Sequence, residues 1–201
     1  MCIRDSGSRT PIELLVRSGS RAAAGVQVPL LHALIDAGAC FDGAESPPRL
    51  GPLRRALAFS FLPAARALAE RGARIDSLAL AAGLGDLEFA RTLLGSADLA
   101  ERRAAMIFAA MHGHVPLVTL LLDAGGEIDR REPDDFGNAA APLHHAAIHG
   151  QLEVVRVLVA RGADLDRRDR TSQRTAFEWA VQNEHYEVAA FLRSARGLTP
   201  S

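Results

Sequence analysis

The feature that most constrains this chain is that it copies itself. Phe61 to Asp76 (FLPAARALAERGARID) overlays Gln151 to Asp166 (QLEVVRVLVARGADLD) without a gap, and both end in Arg-Gly-Ala-x-aliphatic-Asp. The ending recurs as Gly38-Ala39-Cys40-Phe41-Asp42 and as Gly125-Gly126-Glu127-Ile128-Asp129. A shorter apolar segment lies upstream of such copies: Thr10-Pro11-Ile12-Glu13-Leu14-Leu15, Gly51-Pro52-Leu53-Arg54-Arg55-Ala56 and Ala141-Pro142-Leu143-His144-His145-Ala146. Weaker copies begin at Asp76, Ala104 and Thr175. The six starts, near residues 10, 51, 76, 104, 141 and 175, lie 41, 25, 28, 37 and 34 residues apart, about 33 on average. A period of that size specifies a linear array of small supersecondary units, each leaning on its neighbours.

The best copy shows what each unit must be. Pro142 suits a first helical turn, where no N–H donor is needed, and Gly150 stops that helix. A second helix follows, in which Leu152, Val154, Val155, Val157, Leu158 and Val159 give a broad apolar face before Gly162 ends it. Helices of about nine residues do not persist alone in water, so each pair must stack on the next. Paired small residues at one place in successive copies, Ala81-Ala82, Ala109-Ala110 and Ala146-Ala147, let the backbones approach. Three places break the pattern: seven extra residues between Gly19 and Gly38, Glu184 where a glycine stop is expected, and no room for a loop around Asp76.

The run Ala141 to Asp166 resembles the ankyrin consensus, with its Thr-Pro-Leu-His opening, alanine pair, glycine and Gly-Ala-Asp ending, and Thr175-Ala176-Phe177-Glu178-Trp179-Ala180 resembles a terminal copy. The likeness covers nearly all of Thr10 to Leu192. It implies an all-α fold, an ankyrin-repeat solenoid of stacked helix-turn-helix units joined by short β-turn fingers. The expected organisation is a non-native or disordered leader at 1–9, a single repeat domain over 10–196, and a tail at 197–201. Met1 to Ser8 share no pattern with the rest and look like translated adapter sequence. Polar residues crowd the last unit (Gln182, Asn183, Glu184, His185, Glu187, Arg193, Arg196), as suits a terminal repeat meeting water. Ile12, Leu14, Leu15 and Val16 would sit at an uncapped start, which predicts a truncated N-terminus.

The resemblance also implies a function: binding another protein through a concave face of inner helices and finger tips. By family register, the two residues before each glycine stop face that groove. They read Arg17-Ser18, Ala58-Phe59, Gly83-Leu84, Met111-His112, Ile148-His149 and Gln182-Asn183. Phe59, Leu84, Met111 and Ile148, with His112 and His149 beside them, are candidates for an apolar interface strip; the competing reading buries them as ordinary core. The longest finger, Asp129 to Ala141, contributes Arg131, Asp135 and Phe136, the last a candidate anchor at a loop tip. The next finger, Asp166 to Arg174, is locally basic and adds Arg168 and Arg170. Solvated charge is the competing reading for both fingers.

Composition narrows the alternatives. Twenty-three basic residues, every one of them Arg, balance 24 acidic ones for a net charge of -1, which gives no pull toward nucleic acid or an anionic membrane. The absence of Lys fits codon bias in a GC-rich bacterial genome. Aromatics make up 5% of the chain, too few for a base-stacking surface. Cys2 and Cys40 cannot build a disulfide framework. The most apolar stretch, Ala104 to Leu122, is interrupted by His112, Gly113, His114 and Pro116, against a membrane span, and no signal-peptide core precedes Thr10. These point to a cytoplasmic protein, expected to be monomeric.

Seven histidines invite a metal or acid–base reading, yet repeat register absorbs most. His144 fills the histidine slot of the Thr-Pro-Leu-His opening, His114 and His185 follow the stop position, and His112 and His149 precede it, leaving His32 and His145 unassigned. No acidic or thiolate partner stands at ligand spacing, and HExxH, nucleophile-elbow, phosphate-loop and CxxC patterns are missing. The chain is therefore expected to be a non-catalytic scaffold with no cofactor, metal or small-molecule substrate. The alternative is a targeting or regulatory portion of a larger truncated enzyme or secreted effector.

Overall fold

A computed structural model describes residues 12, 15, 24–39, 51–129 and 140–197, with helix residues 24–27 described by backbone alone. Among these residues there are eleven helices and no strand. The chain divides into two compact units, Met1–Asp76 and Ser77–Ser201.

In the first unit, α1 (Ala24–Asp36) packs against α3 (Leu62–Glu70), which packs in turn against α2 (Pro52–Ala58). Pro52 opens α2, where the missing N–H costs nothing. Leu31, Leu57 and Leu68 are wholly buried, each such side chain stabilising by roughly 1.5–3 kcal/mol. Arg71, from the repeated Arg-Gly ending, reaches Asp36 at 2.6 Å. That hydrogen bond draws the Asp36 carboxyl below its ordinary range.

The second unit contains four consecutive helix pairs: α4 (Leu78–Leu84) with α5 (Leu87–Leu94), α6 (Leu99–His112) with α7 (Val115–Asp123), α8 (Pro142–Ile148) with α9 (Leu152–Ala160), and α10 (Ala176–Gln182) with α11 (Tyr186–Ala195). Helices α4, α6, α8 and α10 form an inner row and α5, α7, α9 and α11 an outer one, each packed on its neighbours in the row. The alanine pairs do what close approach requires, since Ala81, Ala82, Ala109, Ala110, Ala146 and Ala147 are all fully buried.

Side chains stitch successive pairs together in one repeated pattern. The residue after the stop position reaches back to a carbonyl two residues before the preceding glycine stop: His114 Nε2 to the Gly83 oxygen at 3.1 Å, Gln151 Nε2 to that of Met111 at 3.0 Å, and Nε2 of His185, which follows Glu184, to that of Ile148 at 3.0 Å. Glycine is needed at the stop for two reasons. Gly85, Gly113 and Gly150 have φ of 80°, within 10° on either side, and a Cβ there would strike the incoming side chain, at 2.7 Å for His114 and 2.6 Å for His185. The Arg-Gly ending supplies a second stitch, from Arg161 to Asp123 at 2.8 Å and from Arg196 to Asp166. Exposed pairs of this kind contribute about 0–1 kcal/mol each.

The structure departs from the sequence expectation at α6, which begins at Leu99, ahead of the repeat start expected near 104. Asp98 caps it, accepting from the Glu101 N–H at 2.8 Å. The added turn braces the pair that has no finger. Glu101 Oε1 accepts the Ala79 N–H at the start of α4, and Arg102 donates to the Leu94 and Ala97 carbonyls at the end of α5. Helix ends left without such partners are costly when buried.

Candidate functional site

Helices α4 and α8 are buried at every residue but the last, and the accessible surface of those two helices lies at their C-terminal ends, where α6 also ends. Leu84, His112, Ile148 and His149 are half-buried there, and Gln182 and Asn183 are exposed. Met111 differs from its expected place in the groove. It is 6% exposed, because α6 is enclosed between α4 and α8 and the Gln151 stitch closes over the Met111 carbonyl. It belongs to the core. Phe59, in the first unit, is 48% exposed. The stripe in the second unit is therefore narrower and more polar than the residue types suggest, with Leu84 and Ile148 as its apolar members.

The expected finger residues Arg131, Asp135 and Phe136 lie outside the described residues, as do Arg17, Ser18, Cys2, Cys40 and the leader. The following finger is well defined, and its centre is a residue that charge counting passed over. Asp169 is 3% exposed. Its carboxylate accepts the N–H groups of Thr171 at 2.9 Å, Ser172 at 2.6 Å and Arg174 at 2.9 Å, and the Trp179 indole N–H at 2.9 Å. Burial works against the charge, but the hydrogen bonds from Ser172, Arg174, Trp179 and Thr171 outweigh it and hold the carboxyl below its ordinary value. The Asp-x-Thr-Ser spacing, a side chain returning to backbone two residues on, was the available sequence signal.

Around this hub the arginines are mostly engaged. Arg168 donates to the Gln173 carbonyl at 2.7 Å and pairs with Glu178 at 3.2 Å. Arg174 stacks its guanidinium 5.1 Å from the Trp179 ring centre, while Arg168 and Arg170 both keep exposed surface. Glu178 and Thr175 form a reciprocal capping box at the start of α10, and the Thr175 N–H is the main cause of the lowered Glu178 pKa.

Three of the histidines, His114, His144 and His185, are structural partners. His144 Nδ1 accepts the Ala141 N–H at 3.3 Å and its Nε2–H donates to the Arg167 carbonyl at 3.0 Å, so one neutral ring ties the start of α8 to the finger. Burial, above all, lowers its pKa. His145 is 2% exposed, and burial, with the charges of His149 and His144, pushes its pKa down to about 3. The His112 ring lies 6.3 Å from that of His114 and 6.4 Å from Phe108. Among the described residues no three His, Cys, Asp or Glu side chains are grouped to hold a metal ion. In the first unit, an open cavity of about 320 Å³ is lined by Val28, His32, Leu62, Pro63, Arg66, Ala67 and Glu70.

The family profile for ankyrin repeats, which spans three consecutive copies, matches residues 78–169 and 133–200, together more than half of the chain. The chain belongs to the ankyrin repeat family. No curated protein matches it. Ankyrin repeats are in general protein–protein interaction modules and are typically non-catalytic. The matched segment is the one whose pairs are stitched by His114, Gln151 and His185, so the ankyrin register there fixes which residues end each inner helix. Among the described residues no helix is long and apolar enough to cross a membrane.

Proposed function

We propose that this ankyrin repeat protein is a non-catalytic scaffold that grips a protein partner with the C-terminal ends of its inner helices and with its finger turns. The observation that carries the reading is the contrast along α4, α6 and α8. Every residue of α4 and α8 but the last is buried, while Leu84, His112 and His149 keep accessible surface at equivalent positions in successive repeats, with Ile148 beside His149. Half-exposed apolar and imidazole groups beside a rigid finger carrying Arg168 and Arg170 suit the mixed chemistry of a protein interface, with an apolar centre and a polar rim. The titratable groups support the same reading, because His114, His144 and His185 are engaged in holding repeats together.

The experiment begins with a partner retained by the immobilised chain, then purified and re-measured by titration calorimetry. A groove variant, Leu84→Glu with Ile148→Glu, is compared with an outer-helix control, Arg156→Glu, both checked for native helicity. The reading expects a loss of at least roughly tenfold in affinity for the groove variant and little change for the control, as for central against peripheral contacts. Equal effects from the two variants reject it.

A further inference from the structure

Within the second unit, the three inner helices that end in a glycine stop are covered in the same way. The next repeat sends a His or Gln across the glycine to the carbonyl two residues before it, and Ala82, Ala110 and Ala147, three residues before the stop, are fully buried. Helix α10 ends with the same turn. The Glu184 N–H donates to the Val181 carbonyl at 3.1 Å and the His185 N–H to that of Ala180 at 2.9 Å, matching Gly150 to Ala147 and Gln151 to Ala146. Glu184 even takes the same left-handed backbone, at φ 62°. Its Cβ therefore occupies the position that, built on Gly150, falls 2.6 Å from the ring of His185.

We infer that Glu184 closes the α10–α11 face to a further ankyrin repeat. A helix pair offering His or Gln at the stitching position meets the Glu184 Cβ; withdrawing the side chain relieves the collision but leaves the Gln182 carbonyl without its stitch. The block acts on any repeat presented to this face, from a longer chain or from a second copy. The surroundings agree with it. Val181 stands with a larger side chain at the place of the buried alanines, and Gln182, Asn183 and Glu187 make the face polar.

The test joins a second copy of residues 163–197 directly after Gly197, which preserves the Arg-Gly-Ala register, and follows hydrogen exchange in the added outer helix. Three chains are compared: Glu184 unchanged, Glu184→Gly and Glu184→Ala. One recovered hydrogen bond predicts roughly fivefold greater protection in the glycine chain than in the other two. Equal protection in the glutamate and glycine chains, whether both repeats dock or neither does, overturns the inference. Protection in the alanine chain equal to that in the glycine chain also overturns it, because the obstacle would then not be the Cβ.

Discussion

Acidifying the solution from pH 7 to pH 5 tests the packing of the α8–α9 pair through a single side chain. His145 is 2% exposed and stays neutral in the folded chain, its pKa lowered to about 3 by burial first and by the charges of His149 and His144 second. In the unfolded chain the ring titrates near 6.5. The folded pKa lies below the unfolded one, so the unfolded state binds the extra proton. Stability is therefore fully present above pH 6.5 and falls by about 1.4 kcal/mol per pH unit as the pH drops from there toward 3. At pH 5 the loss from His145 is about 2 kcal/mol. His144 shifts in the same direction and adds to it. The paired carboxylates Asp36, Asp169 and Glu178 are held below their ordinary values and keep their charge across this window.

The control is His145→Leu. The equivalent position in neighbouring repeats holds Leu80, Phe108 or Trp179, of which Leu80 and Phe108 are buried, so an apolar side chain suits the site. Urea denaturation at pH 7 and pH 5 should give the leucine variant a pH-dependent loss smaller by about 2 kcal/mol than that of the parent chain. A proton spectrum should show the His145 ring still neutral at pH 5. Equal losses in the two proteins, or a His145 resonance titrating near pH 6.5, would refute the reasoning.

Two further predictions concern the stitches and the finger. Gly113→Ala and Gly162→Ala both force alanine into a left-handed backbone, at φ 80° and 88°, for about 1–2 kcal/mol each; only Gly113 lies against a neighbour, the Gln151 amide, so thermal melts should show it costing about 1 kcal/mol more, and equal losses would mean the stitch is worth nothing. Asp169→Ala strands three backbone N–H groups and the Trp179 indole, and should speed tryptic cleavage after Arg168, Arg170 or Arg174 severalfold relative to cleavage after Arg156. An unchanged cleavage pattern would show that the finger does not depend on its central carboxylate.

Much of this architecture was legible before any coordinates. The overlay of Phe61–Asp76 on Gln151–Asp166 located the outer helices, and the alanine pairs located the inner contact row, because helix-forming periodicity, glycine stops and small residues act within one repeat. The early start of α6 is also written in the sequence, since Asp98 followed by Glu101 is the pattern of a helix start, although the interval does not fit the average repeat. Met111 and Asp169 could not be placed by residue type. A methionine at a groove position suggests exposure and an aspartate among arginines suggests solvated charge, and both are overruled by what covers them.

The residues alone thus settled that this chain is built from short paired helices of the ankyrin kind, since a helix pair with one apolar face has no stable existence except against its like. Three-dimensional contact alone decided which histidines became ties, which arginines stayed outward, and that Met111 left the groove. The ties depend on partners 23 to 40 residues away, from His144 with Arg167 to Gln151 with Met111, whose meeting is fixed by how one repeat settles on the next and is written in no local run of sequence.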